Sequence, residues 1–487
     1  MKMKTIKLTL ILLTFGITVS ISAQTSVNDS LWQYMKIAIQ NNPGILAKAD
    51  EYKAALYKIP QVSSLPDPEL SISLFLTPME IVSGKQVADL QLMQMLPWFG
   101  TLKYAHDEMS LMAKARYESL QDAKLQLLYD VQSSWYDLYR THRNLKLTEK
   151  NLAILEQIEE LALLKFKTYG STSIQATTPI PMSETKVTVQ SQVGMGGMQG
   201  SNTMKSSGSI SRSGAMTEMP GGNETGLSSI YRLQMEKYDL LDNIATLRES
   251  IISGQSGFNA LLNRSATATV FFPDSMNIEM PELVLLSLSP DSFYTGQPML
   301  EMIKYESESL RAKSKMVDKM GYPMLGVGIG YSAIAMSTNS TSAMNGMDML
   351  MPMIKVSIPI YRKKYSAMKS ETKMLRSATQ NNLKETQNLL YAGYIEAVER
   401  YNNARRQAEL YNTKITLLQK ILDLSMVEFS NSGSGLIELL RTRQELFSYE
   451  LKKEESIAGV NASVAYLRRI TGRYNTEEVF TTNIYNK

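Results

Sequence analysis

Two periodicities divide the chain. Leu325, Val327, Ile329 and Tyr331 alternate with Gly326, Gly328 and Gly330, and Ile354, Val356, Ile358 and Ile360 alternate with Lys355, Ser357 and Pro359. A period of two places apolar side chains on one face of a strand and small or polar ones on the other. Leu70, Ile72, Leu74 and Leu76, set between Ser71, Ser73, Phe75 and Thr77, repeat the pattern earlier in the chain, with a weaker partner around 87–96. Each pair reads as a hairpin. The pattern therefore predicts four strands, about 68–97 and 322–361, joined by loops at Met79–Gln86 and Ala333–Met351. Roughly ten residues with an apolar outer face is the length of a tilted transmembrane β-strand.

The second periodicity is helical. Between Gly100 and Gly170, 69 residues rich in Leu, Ala, Lys, Glu and Gln contain neither Gly nor Pro. They predict one helix over 101–169, about 100 Å long at 1.5 Å per residue. Val131, Leu138, Leu145 and Leu152 recur every seven residues, with Leu128 and Trp135 on the neighbouring seam, which gives a coiled-coil-like face. A counterpart spans 362–432, interrupted only by Gly393. Each long helix turns at a Gly/Ser stretch and is followed by a return helix, 227–264 and 436–471, so the chain holds two long α-hairpins.

The two halves are copies. Pro43 in NNPGILAK and Pro298 in GQPML are 255 residues apart, as are Pro68 in LPDPELSIS and Pro323 in GYPMLGVGIGYS. Pro97 and Pro359 stand at an offset of 262, Gly170 and Gly433 at 263, and then Gly226 and Gly435, like Arg264 and Arg473, at 209. The first repeat spans 24–270 and the second 271–487. The fall in offset marks an insertion at 171–225, rich in Gly, Ser and Met, at the turn of the first hairpin. The second copy makes the same turn at Asn431–Gly435 in a few residues.

Composition narrows the function classes. MKMKTIK, an apolar run from Leu8 to Ile21 and Ile21-Ser22-Ala23 form a cleavable signal peptide over 1–23, so export is expected. No cysteine follows the cleavage site, so no lipoprotein anchor is expected. The apolar run is too short to span a bilayer, and no other stretch supplies a membrane helix. Insertion must use strands. Without the three leader lysines the chain carries 48 basic and 47 acidic residues, which argues against nucleic acid as a partner. There are no cysteines and two histidines, His106 and His142, so disulfides, thiolate chemistry and an ordinary zinc or haem site are excluded. No HExxH, GxSxG context or P-loop occurs, and no catalytic residues or cofactor are expected.

Four strands cannot close a barrel, and an open edge is not tolerated in lipid. Three copies would close a twelve-stranded barrel. Together with the duplicated helical hairpins, QMLPWFG before the first long helix and Gly-Leu-x-x-Leu/Ile-x-Arg after each turn, this order of features resembles the TolC-like outer-membrane efflux proteins, the outer membrane factors of tripartite pumps. The resemblance spans nearly the whole mature chain. It implies a mainly α fold with a small β part: a homotrimer with a β-barrel in outer-membrane lipid and a periplasmic α-helical tunnel. It implies no enzyme activity, and as partners a periplasmic adaptor and an inner-membrane transporter of RND type. Lys167, Tyr169, Gly170, Gly226, Leu227, Gly433, Gly435 and Leu436 then mark the adaptor-docking tips. Arg232 and Arg441 match the family's tip arginine, as gate residues or as exposed helix arginines. Asp423, Glu428 and Glu438 are either acidic rings at a closed tunnel end or a solvated coiled-coil face. Trp98 and Phe99 belong to an interfacial aromatic belt or to packing at the strand-to-helix junction. Passage of drugs, solutes or secreted polypeptide is the alternative within this fold, and a periplasmic coiled-coil structural or adaptor protein the alternative outside it.

Methionine carries the information on cargo. The chain has 31, with Met182, Met195, Met198, Met204, Met216 and Met219 in the insertion and six more in Met336–Met353, among Gly, Ser, Thr and Asn that build no core. Thioether sulfur is a soft, uncharged ligand suited to Cu(I) and, by the same softness, to Ag(I). Met195 and Met198, and Met216 and Met219, each place two sulfurs three residues apart on flexible backbone. With Met204 they are the candidate ligands for transient Cu(I) or Ag(I), the copper/silver branch of the family being the candidate. The missing N-terminal cysteine departs from the lipoproteins of that branch. Adaptable contact with an adaptor, or no specific role, are the other readings of these methionines.

Overall fold

A computed structural model describes residues 27–170, 226–432 and 435–474. The signal segment, Gly433 and the insertion with Met195, Met198, Met204, Met216 and Met219 lie outside the described residues. The elements run α1 (Val27–Asn41), α2 (Pro43–Ser63), β1 (Glu69–Ile81), β2 (Gly84–Leu96), α3 (Thr101–Gly170), α4 (Gly226–Leu261), α5 (Leu283–Leu286), α6 (Pro290–Phe293), α7 (Pro298–Met320), β3 (Met324–Ala335), β4 (Met349–Ser357), α8 (Arg362–Ser432) and α9 (Leu436–Thr471). The fold is mainly α, with one four-stranded antiparallel sheet in the order β1-β2-β3-β4.

Equivalent hydrogen bonds recur in the two halves of the chain. Pro43 and Pro298 open α2 and α7 at the position where a missing N–H costs least. Asn42, the residue before Pro43, accepts from the Gly44 and Ile45 amides at 2.9 and 3.3 Å. Its Nδ2 also donates to the Leu261 carbonyl at 2.9 Å, and Gln297 Nε2 donates to the Ile470 carbonyl in the second copy. Both acceptors lie at the ends of return helices. There Asn263 (φ 53°) and Gly472 (φ 66°) take the left-handed conformation, and Arg264 N and Arg473 N each bond the carbonyl five residues back at 3.2 Å. The same helix stop is thus tied to the same helix start twice.

The chain divides into two compact units that cut across the repeats. Unit 1 comprises Met1–Leu145, Leu247–Lys414 and Tyr449–Lys487, and unit 2 comprises Lys146–Thr246 and Ile415–Ser448. In unit 1, Tyr34, Ala38 and Ile39 of α1 pack with Leu128, Val131 and Trp135 of α3 and Phe258 of α4. A second cluster holds Leu288 and Phe293 against Tyr394, Ala397 and Tyr401 of α8 and Val460, Val464 and Leu467 of α9. In unit 2 the buried positions of α3 are Thr148, Asn151, Leu155, Ile158 and Ala162, whereas Leu145 at the end of unit 1 and Leu152 are only half-buried. The heptad seam expected to run through Leu145 and Leu152 is therefore displaced. A straight 3.6-residue helix drifts from a seven-residue repeat, and here the seam moves onto two polar residues.

Both hairpin loops are shorter than the alternation indicated. Met79, Glu80 and Ile81 pair with Gln86, Lys85 and Gly84, leaving Val82 and Ser83 as the turn, with Gly84 at φ 128°. A register shift between Leu74 and Met79, around Pro78, breaks the period of two and hides the strand's continuation. Likewise β3 continues to Ala335 on its pairing with β2, and β4 starts at Met349, so the second loop is 336–348.

Burial pushes the Asp122 carboxyl of α3 above the ordinary carboxylate range, with the Arg469 guanidinium pulling it partly back. A carboxyl raised on folding contributes stability below its unfolded pKa and loses it as pH rises through the folded value. Asp122→Asn is therefore expected to raise Tm more at pH 7 than at pH 4. An equal shift at both pH values in a thermal melt would contradict this origin.

Candidate functional site

The sheet presents two faces of opposite character. Directly opposed residues share a face, so the register sorts the side chains. One face carries Leu70, Ile72 and Leu74 of β1, Leu90 and Leu92 of β2, Leu325, Val327, Ile329 and Tyr331 of β3, and Leu350, Ile354 and Val356 of β4. Much of it is exposed in the single chain: Ile72 to 60%, Leu74 to 73% and Ile354 to 81%. The other face carries Ser71, Ser73, Asp89, Gln91, Gly326, Gly328, Gly330, Ser332 and Lys355 with several methionines. Asp89 is held there by Ser332 Oγ at 2.7 Å and Gln91 Nε2 at 2.6 Å. β1 and β4 are the edge strands, each paired on one side only.

Loop 336–348 is pinned onto the first hairpin. Gly346 N donates to the Ser83 carbonyl at 2.8 Å, Ser340 Oγ donates to the Val82 carbonyl at 2.7 Å, and Ser337 Oγ donates to Glu80 at 3.1 Å, while within the loop Asn345 Oδ1 accepts from Ser337 N at 2.9 Å. At the opposite end of the strands Trp98 stacks on Tyr322 with centroids 5.2 Å apart and planes 14° apart. Phe99 beside it, and Tyr361 at the corresponding junction after β4, are about four-fifths exposed, 80% and 83%. Trp98 is thus part of the junction's packing, while Phe99 and Tyr361 stand exposed at the two strand-to-helix junctions.

Unit 2 holds the remaining sequence candidates. Tyr169 and Gly170 close α3, Gly226 and Leu227 open α4, and Lys167 is exposed on the last turn of α3. Gly435 stands at φ 91°, a conformation that favours glycine, and its carbonyl accepts from Leu439 N at 2.9 Å as α9 begins at Leu436. Arg232, Asp423, Glu428, Glu438 and Arg441 are all exposed in the single chain. The buried polar pair lies elsewhere. Arg443, 3% exposed, donates from Nε to Asn151 Oδ1 at 2.8 Å, and Asn151 is 1% exposed. Thr148 and Thr442 are buried in the same unit. Sequence reasoning passed over Arg443 in favour of Arg441. The sequence carried no signal for it, because the seam expected through Leu152 left Asn151 off the packed face, and a buried polar residue there requires the partner that Arg443 supplies. In the same unit, Glu159 accepts from Gln234 at 3.0 Å and Lys237 at 3.3 Å, and these bonds hold its carboxyl below the usual range.

Among the described residues no group of His, Cys, Asp and Glu is arranged to hold a metal ion, and no helix is long and apolar enough to cross a membrane. No protein-family model and no curated protein matches the sequence. Solved structures do match. Crystal structures of CusC, which concern transmembrane channel formation, align with a TM-score of 0.66 at 13% identity, over 91% of this chain and 92% of that one. The outer membrane protein VceC from Vibrio cholerae aligns with a TM-score of 0.66 at 10% identity, covering 91% and 96%. The open state of the Neisseria gonorrhoeae MtrE outer membrane channel aligns with a TM-score of 0.63 at 12% identity, covering 91% and 89%. The chain has the fold of outer-membrane channels. Its sequence resemblance to the TolC-like proteins thus holds at the level of the fold.

Asn151→Leu removes the acceptor of a buried guanidinium and is expected to cost about 1.5–3 kcal/mol. Arg443→Met in the same chain should recover part of it, with a coupling of more than about 0.5 kcal/mol in a double-mutant cycle read by denaturant unfolding. Additive effects would contradict the pairing.

Proposed function

We propose that the protein is the outer-membrane exit duct of a tripartite efflux system. It carries substrate delivered through a periplasmic adaptor and an inner-membrane transporter, of RND type, to the cell exterior. The observation that carries this reading is the sheet: an exposed apolar face on strands of membrane-spanning length, with two unpaired edges, in a chain with an outer-membrane channel fold. Water gives such a surface no stable state as a monomer, whereas lipid covers the face and further copies pair the edges. Three copies supply twelve strands. Exposed apolar residues on the helices of unit 2 support the same assembly: Tyr231, Met235 and Tyr238 on α4, and Leu417, Ile421, Leu424 and Val427 on α8. Both sets follow the three-and-four spacing of helix seams. Phe99 and Tyr361 suit the membrane interface.

The favoured cargo is Cu(I) or Ag(I), supported by methionines in the insertion and by the exposed Met336, Met344 and Met347 of loop 336–348. Efflux of drugs or solutes, or polypeptide secretion, is the alternative in the same fold.

Two outcomes are expected. The protein fractionates with the outer membrane as a heat-modifiable oligomer, and Leu74→Asp with Ile354→Asp abolishes that fractionation because each charge must enter hydrocarbon at a cost of up to a few kcal/mol. Recovery of the double variant in the outer membrane at wild-type level would contradict the lipid-facing assignment. A strain lacking the gene is expected to lose tolerance to copper and silver salts and to keep its tolerance to hydrophobic antibiotics. The reverse pattern would replace metal by drug as cargo.

A further inference from the structure

The face of the sheet turned away from the apolar one contains methionine where no core requires it. Its residues fall into cross-strand rows. One row joins Glu69, Met93, Gly328 and Met353, and the next, toward the strand ends that lead to helices, joins Met95, Gly326 and Lys355. Toward the hairpin loops come Ser71, Gln91, Gly330 and Met351, then Ser73, Asp89, Ser332 and Met349. Five methionines therefore flank β3 on this face, two from β2 and three from β4. The absence of Cβ atoms on β3 lets their thioethers fold across it. The Sδ atoms of Met95 and Met93 lie 2.7 and 3.4 Å from the point where a Cβ on Gly326 would stand, and Met353 Sδ lies 3.5 Å from the same point on Gly330. Two sulfurs thus converge on one spot, with a third about 13 Å further along the strand at 3.3 Å per residue.

Burial does not account for them. Met349 and Met351 are exposed and Met93, Met95 and Met353 half-buried, on a face whose other members are Ser, Gln, Asp, Glu, Lys and Gly. Nor does the face suit a hard cation. Its central carboxylate, Asp89, already accepts from Ser332 and Gln91. Glu69, the other carboxylate, stands at the start of β1 opposite Met93, and the donors that recur along the face are the soft, uncharged thioethers.

We propose that this face is a thioether site for a soft monovalent cation, Cu(I) or Ag(I). Met93 and Met95 form its seat over Gly326, and Met353, Met351 and Met349 form successive steps toward the hairpin loops. The proposal rests on the exit-duct reading, in which this face lines the channel. It differs from the methionines of the 171–225 insertion in standing on paired strands, where the spacing of sulfurs is set by the ladder.

The test uses the purified full-length protein in detergent, titrated with Ag(I), against the variant Met93→Leu/Met95→Leu/Met353→Leu, which nearly conserves side-chain volume. The variant is expected to lose at least one bound equivalent. Wild-type crystals soaked with Ag(I) are expected to show anomalous density in contact with the sulfurs of Met93 and Met95. An unchanged stoichiometry in the folded variant, or anomalous density found only away from the sheet, overturns the proposal. If the variant does not fold, the wild-type density decides. Metal binding is read on isolated protein and cargo on the deletion strain, so the two can fail separately. Silver between the two sulfurs in a chain whose loss leaves metal tolerance intact would keep the site and remove the cargo.

Discussion

An antiparallel sheet with one apolar face exposed and both edges unpaired is the constraint on which the rest of this molecule depends. Each exposed edge group needs a hydrogen-bond partner, and each strand of this length and pattern needs an apolar surrounding. The chain supplies neither by folding alone, because β1 and β4 lie at opposite ends of the sheet order. Lipid and further copies meet both needs under the proposed assembly. The glycines of β3 belong to the same constraint: they thin the non-apolar face, and the methionines of β2 and β4 lean into the space.

Two equivalent ties hold distant parts of this long chain together. The side chain before α2 caps the end of α4, and the side chain before α7 caps the end of α9, at equivalent positions in both copies. Each tie joins the start of one helix to the stop of another more than 170 residues away in sequence, beside an apolar cluster of its own. In the sequence the 171–225 insertion falls between α3 and α4, whereas α8 and α9 are separated by a few residues, with Gly435 at positive φ. The ties that set the repeat are in unit 1, whereas that insertion falls in the range of unit 2.

What was legible in the sequence was local. Strand alternation is plain in β3 and β4 because every second residue of Leu325–Tyr331 and Ile354–Ile360 is apolar. The absence of helix breakers is equally plain through α3. The strand beyond Pro78 was hidden because that proline and a register shift interrupt its period, and β3 beyond Ser332 because Ala333, Ile334 and Ala335 carry no polar alternation. Side chains brought together across elements escaped altogether. Arg443 meets an asparagine 292 residues away, and Met93 and Met95 meet Gly326 only through the register of β2 on β3. The methionines of β4 were visible as composition, but their partners on β2 required the sheet.

The most direct measurement of the central claim is the native mass of the complex released from the outer membrane in mild detergent. Three chains per particle is the expected result, since three sets of four strands satisfy both sheet edges. A monomer, or an oligomer of another order, would contradict closure of the sheet as a twelve-stranded barrel.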